Sequence, residues 1–277
     1  EACGRARAGA LTGPEQAGLA ALLAEAEAAL EMEPPSVLDK EHVPPSGEKR
    51  DYYSLSIYYW PNPKTRDGLP YVARDGQINP EVEEYDRPAK LRMLAAAEAL
   101  IAAWRLTGES RFAVKAAELL RVWFLDERSG MTPHMLYAQA QPGGVSQNPR
   151  PIPARWVEGK DGRGTFVSFG GVIEGSPLPA LFETVELLSD FDGWSEAEDA
   201  GLRSWARQFM MWLLTHQHGR DEASTGQNHA VWYRVQVAGY AVYSGELALA
   251  LEILERDVPG MLEEHIAPDG KMPKEVN

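Results

Sequence analysis

In the stretch TGQNHAVWYRVQ, residues 225–236, an amide, an imidazole, an indole and a phenol fall close together as Asn228, His229, Trp232 and Tyr233. The amide of Asn228 donates hydrogen bonds, and histidine, with an ordinary pKa near neutrality, gives or takes a proton. If helical geometry starts at Asn228, His229 and Tyr233 are four apart and share one face. The stretch lies between a polar segment, His216 to Ser224, and the apolar positions Val235, Val237, Ala238, Tyr240, Ala241 and Val242. A polar side chain entering an apolar interior must find a partner, or the fold loses about 1–3 kcal/mol. Two arrangements meet that demand. Asn228 caps the helix with a satisfied histidine just inside it, or the pair faces a cavity where something else binds.

Three other stretches mix aromatic and polar groups. DYYSLSIYYWPNP, residues 51–63, carries Tyr53, Tyr58 and Trp60. It reads as an edge strand whose aromatics cover the core, or as a stacking surface for the apolar faces of sugar rings. In HMLYAQAQPGG, residues 134–144, Tyr137 and Gln139 alternate along a loop, where each can hydrogen-bond a sugar or merely anchor the chain. EGKDGRGTF, residues 158–166, displays Lys160 and Arg163 on a turn-rich stretch. His216 and His218 are two apart and point in different directions on a helix end. No Cys cluster or His-Glu-x-x-His pattern exists, so no metal or cofactor is expected.

The elements that must hold these groups are nearly all helical. Apolar spacing predicts helices over 14–31, 86–106, 110–125, 176–189, 196–216, 228–244 and 246–265, joined by short turns into hairpins. Between them lies a long Gly- and Pro-rich irregular segment from Ser129 to Gly175. Alternating β pattern is confined to YYSLSIYYW and GTFVSFG. Successive hairpins stack into a solenoid or curl into an α/α toroid. Loops longer than about 15 residues inside a compact domain are usually functional, and in a toroid they lie over one mouth and build a cleft. The fold class expected is therefore mainly α, an α/α toroid with long loops over one mouth. Residues 1–34 form an N-terminal tail and helix, and 35–277 the toroid domain.

Composition limits the partners. A net charge of −14 over 277 residues argues against nucleic acid, because phosphate binding needs a basic footprint. No stretch approaches the roughly 20 apolar residues that span a bilayer. Cys3 stands alone, so no intrachain disulfide forms. The start, EACGRARAGA, has no apolar signal core, so a signal peptide is expected to be absent or already removed.

The blocks PPSGEKR, DYYSLSIYYWPNP, MTPHMLYAQ, DGRG, QNHAVWYRVQ and HIAPDGKMPKE occur in the order found in the alginate lyase superfamily of α/α-toroid polysaccharide lyases. From about Pro35 to the C-terminus the chain resembles that family, most closely its glucuronan- and alginate-cleaving branch. Three positions depart from the family pattern: Gln227 replaces the first of two Asn, Arg234 an Asp, and Tyr59 an aromatic Trp. The resemblance implies an acidic polysaccharide as partner and a secreted or periplasmic location. It also implies β-elimination at a uronic acid, in which the C5 proton leaves and the glycosidic oxygen departs from C4. That proton sits beside a carboxylate and is very weakly acidic until donors neutralise the charge. Asn228 suits the neutralising role, and His229 is a second donor or the base. Tyr233 and Tyr137 are the supporting phenols. Tyr53, Tyr58, Trp60, Gln139, Arg163 and Trp232 are the expected substrate contacts. The alternatives are a non-catalytic binder of acidic polysaccharides and a hydrolase. A hydrolase needs two carboxylic acids across a cleft, for which Glu158, Asp161 and Glu174 are the candidates.

The resembling family carries an Arg and then a proton-donating Tyr soon after the segment matched here by Pro268, Asp269, Gly270, Pro273 and Glu275. No counterpart of either precedes Asn277. The expectation is a truncated chain, with the last helices of the toroid missing and apolar surface exposed in their place. In a genuine short form, Tyr137 or Tyr233 has to supply the acid.

Overall fold

The computed structural model describes residues 4–5, 9–143, 154–158, 164–225 and 228–273. Lys160 and Arg163 lie outside the described residues. The protein is mainly α. Helix α1, Gly13–Leu30, opens on a Thr12–Glu15 capping box with proline in its first turn, which satisfies backbone N–H groups that no helical carbonyl can reach. Helix α2, Asp86–Thr107, stops at Gly108, whose φ of 81° is the left-handed conformation glycine accepts without strain. Helix α3, Ser110–Leu120, follows at once and closes in a π turn, Arg121–Leu125. Next come α4, Leu178–Val185, and α5, Glu196–Thr215, the latter opened by a Ser195–Glu198 capping box. Helices α6, Gln217–Ala223, α7, Asn228–Ser244, α8, Leu247–Glu252, and α9, Val258–His265, follow.

The helices pack as hairpins around shared inner members. Helix α2 packs on α1, α3 and α4, while α7 packs on α4, α5, α6 and α8. This is the hairpin-on-hairpin layering of an α/α toroid. Its interior is aromatic: Trp123, Phe182, Phe209 and Tyr240 are sealed from solvent. Phe182 stacks on Tyr243 at 4.9 Å and Trp205 on Phe209 at 5.3 Å. Each such ring contributes roughly 1.5–3 kcal/mol by leaving water.

The expectation of an irregular segment from Ser129 to Gly175 needs correction. Strands β1, Tyr53–Leu55, β2, Tyr59–Trp60, β3, Val72–Ala73, β4, Tyr137–Pro142, β5, Ala154–Glu158, and β6, Gly164–Ser168, form two sheets among the described residues. The larger has the order β1-β4-β6-β5, with β1 parallel to β4 and the other pairs antiparallel. Tyr137 and Gln139 therefore sit on a strand, not a loop. Gln139, at φ 50°, takes a backbone conformation uncommon outside glycine, and it breaks the inside–outside alternation by which strands are recognised. The mostly polar segment His216 to Ser224 carries a helix, Gln217–Ala223, which buries His218, Gly219 and Glu222. The predicted helix over 246–265 is interrupted by a π turn, Ile253–Asp257. Along it Leu247, Leu251 and Leu254 are exposed.

Candidate active site

Helix α7 begins at Asn228, so its first two turns carry Asn228, His229, Trp232 and Tyr233 together. Asn228 is exposed and Trp232 is 40% exposed. Four residues apart, they lie on one face. His229 is half-buried, and its Nδ1 lies 2.8 Å from Oε1 of Glu222. The Glu222 side chain has no exposed surface, whereas that of His229 keeps 28%. Burial pushes the Glu222 carboxyl above the usual carboxylate range, and the bond to His229 opposes that rise. Its second oxygen, Oε2, is buried with no hydrogen-bond partner among the described residues. One turn beyond His229, the Tyr233 phenol donates to the Leu213 carbonyl at 3.3 Å, tying α7 to the end of α5. Burial raises this phenol above the ordinary tyrosine value.

The short helix that delivers Glu222 is set by its junction with α5. His216 caps it, its Nδ1 accepting from the His218 backbone N–H at 3.1 Å. At Gly219 a Cβ would collide with the Leu213 carbonyl. Glycine is thus required for α6 to turn back against α5, and that turn aims Glu222 at the start of α7.

A second polar cluster surrounds Tyr137. Asp51 is buried and accepts from Thr132 Oγ1 and Ser46 Oγ, each at 2.6 Å, with His134 Nε2 at 3.2 Å. Burial alone would raise the Asp51 carboxyl, but the bonds from His134, Ser46 and Thr132 hold it at about 2. Tyr137 has its ring edge-on to His134, 6.2 Å between centroids. Burial raises its phenol, partly offset by a hydrogen bond with Ser46. From there a row of rings runs to the α5–α6 junction: His134 to Trp212 at 6.0 Å, then Trp212 stacked on His216 at 5.2 Å. The row ends at His216, the cap of the helix that carries Glu222.

The strands are keyed to α7 by a buried hinge. In the 3-10 turn Phe169–Gly175, Glu174 accepts from Tyr52 Oη at 2.6 Å and Ser54 Oγ at 2.8 Å, with Arg87 Nε at 3.5 Å. The buried Lys90 ammonium donates to the Glu174 carbonyl. Ser54 Oγ also accepts from the Gln139 backbone N–H at 2.8 Å, which holds Gln139 in its left-handed conformation. On the other side, Gln236 donates to the Val172 carbonyl at 3.2 Å and Tyr240 to that of Gly175 at 3.3 Å. In Glu174, a carboxylate considered for hydrolysis, Oε2 is thus committed to internal hydrogen bonds, while Oε1 is buried facing Arg87.

The remaining expected contacts are spread out. Tyr53 faces Tyr137 across the β1–β4 pair and packs edge-on against Tyr85 at 5.1 Å, buried in a small satellite core. Trp60 stands in the separate β2–β3 sheet, its indole donating to the Gln77 carbonyl at 2.8 Å with Arg74 over the ring at 4.9 Å. Tyr58, next to that sheet, is exposed. Glu222 is the residue that sequence reasoning missed. It stands seven positions before His229, across a turn, where no helical period links the two. Among the described residues no group of three or more His, Cys, Asp or Glu can hold a metal ion, and no helix is long and apolar enough to cross a membrane.

No curated protein matches the chain. A solved structure of an alginate lyase from Bacteroides ovatus is similar at a TM-score of 0.80 and 32% sequence identity, over 92% of this chain and 62% of that one. The chain thus spans 62% of the length of that relative. The profile of the alginate lyase family matches residues 36–277, which takes in every element from β1 onward and both polar clusters. The chain belongs to the alginate lyase family.

Proposed function

We propose that the protein is a polysaccharide lyase that cleaves a uronic-acid polymer of the alginate or glucuronan type by β-elimination, outside the cytoplasm. The observation that carries this reading is Asn228 and His229 at the start of α7, with the imidazole anchored on a buried carboxylate. The Asn228 amide, with His229 as a second donor or as the base, quenches the charge of the substrate carboxylate, which makes the C5 hydrogen acidic enough to remove. A base takes that proton, the electron pair forms the C4–C5 double bond, and the glycosidic oxygen leaves C4 with a proton from an acid. Tyr137 and Tyr233 are the phenols assigned to supply or relay that proton. Both phenols are protonated at neutral pH, the state an acid needs, although burial raises both and makes them give up the proton less readily. Trp232 and Tyr58, exposed aromatics, offer faces for sugar rings, and Gln139 and Arg163 are assigned to the sugar's polar groups. The commitment of Glu174 to Tyr52 and Ser54 weighs against a hydrolase reading.

The test is a panel of alginate, glucuronan and related polymers, followed by ultraviolet absorbance of the unsaturated product. Absorbance that rises on at least one uronic-acid polymer, and on no neutral polysaccharide, is the expected result. Binding by calorimetry with no turnover on any of them would leave a carbohydrate-binding protein in place of an enzyme.

A further inference from the structure

We infer that Glu222 is the positioning residue of His229: it holds the ring with the proton on Nδ1, so that the lone pair lies on Nε2 and His229 acts as the base. The inference rests on the lyase reading above and assigns the roles within it. An ionised carboxylate only accepts hydrogen bonds, so with Glu222 charged the 2.8 Å contact takes its proton from Nδ1. Nε2 is then the atom that can take a proton. The alternative role, a neutralising donor at Nε2, requires the opposite tautomer or a doubly protonated ring.

Three features of the geometry favour a built device over a chance surface pair. The Glu222 side chain is fully buried while the ring it touches keeps 28% of its surface exposed, so the carboxylate stands behind the imidazole relative to solvent. Its delivery depends on a dedicated short helix and on Gly219, where a Cβ would meet the Leu213 carbonyl. Moreover, Oε2 of Glu222 is buried with no hydrogen-bond partner among the described residues, which is unfavourable for a buried polar atom. A stability role alone would be served as well by an apolar residue of similar volume. His229 is the one titratable group among the described residues that acts on this carboxyl, pulling it down against burial.

The test uses the full chain and two variants, Glu222→Gln, which keeps an acceptor oxygen but loses the charge, and Glu222→Leu, which loses both. Ring nitrogen and carbon NMR shifts, assigned by subtraction of the His229→Ala spectrum, report the tautomer. The wild type is expected to show the Nδ1–H form with a strongly downfield ring proton. That proton moves upfield in Glu222→Gln, and the ring shifts toward the Nε2–H form in Glu222→Leu. On a uronic-acid polymer, kcat is expected to fall about tenfold in the Gln variant and on the order of a hundredfold in the Leu variant, the range general-base catalysis supplies, with KM within threefold. A wild-type ring in the Nε2–H form would overturn the assignment, as would a folded Leu variant whose kcat stays within threefold of wild type. If the Leu variant does not fold, the wild-type tautomer and the Gln shift decide. If the wild type cleaves no polymer, the lyase reading fails, and the tautomer measurement still decides whether Glu222 sets the ring.

Discussion

In the proposed mechanism Asn228 and His229 divide the work that a uronate demands, and each should fail differently when removed. Loss of the Asn228 amide removes a donor aimed at charge that grows in the transition state. Asn228→Ala is therefore expected to lower kcat by about 10²–10³ with a small change in KM, the range seen when one such donor is deleted. Loss of the proposed base in His229→Ala is expected to cost about 10²–10⁴ in kcat. Steady-state rates on the polymer that turns over best check both, and a loss confined to KM would assign the pair to binding instead. At this scale the sequence was partly readable. Two polar residues entering an apolar helix draw attention because burial would be costly without a partner. Glu222 does not, because its role exists only once α6 folds back on α5 and a contact forms across a turn.

Among the elements, the α5–α6 junction and the Asp51 cluster carry expectations of their own. Gly219→Ala must displace the Leu213 carbonyl or tilt α6, and overpacking of this kind typically costs about 1–3 kcal/mol. The expected outcome is a lowered melting temperature together with loss of lyase activity, since Glu222 rides on the displaced helix. Unchanged stability would mean the junction is looser than it looks. Asp51, held at about 2 against an ordinary 3.8, binds protons more weakly in the folded state than in the unfolded one. Its contribution, about 2 kcal/mol by linkage, is present above the ordinary carboxylate pKa and is lost as pH falls from about 4 toward about 2. In Asp51→Asn that part of the acid destabilisation should vanish, so denaturant titrations at neutral and acidic pH should differ by about 2 kcal/mol less than in the wild type. An equal difference would detach Asp51 from the stability of the cluster. The helices were legible because their apolar period is local and their ends carry caps, as at Thr12, Ser195 and Gly108. Strand β4 was not. Its partner β1 lies far away in sequence, and its burial does not alternate residue by residue.

For the molecule as a whole, charge and ring architecture pull against each other. A chain of net charge −14 repels a polyanion at long range, so the attraction of the proposed cleft must be local, from amide, imidazole and guanidinium groups. Salt screens the long-range repulsion first, with a Debye length of about 10 Å at 0.1 M. The rate constant kcat/KM on a long polymer is accordingly expected to rise as salt increases from about 0.02 to about 0.2 M. A steep fall would indicate a basic binding track instead. The toroid was readable from its succession of hairpins, while the sheets that cap and key those hairpins emerged from non-local pairing.

The central claim is that bond cleavage proceeds by departure of the C5 proton and not by attack of water, and the mass of the product decides it. Each new non-reducing end is expected to be one water lighter than a hydrolysis fragment, to absorb in the ultraviolet, and to be absent with Asn228→Ala and His229→Ala. Fragments that carry the full water, or the same unsaturated ends from both variants at the wild-type rate, would contradict the account.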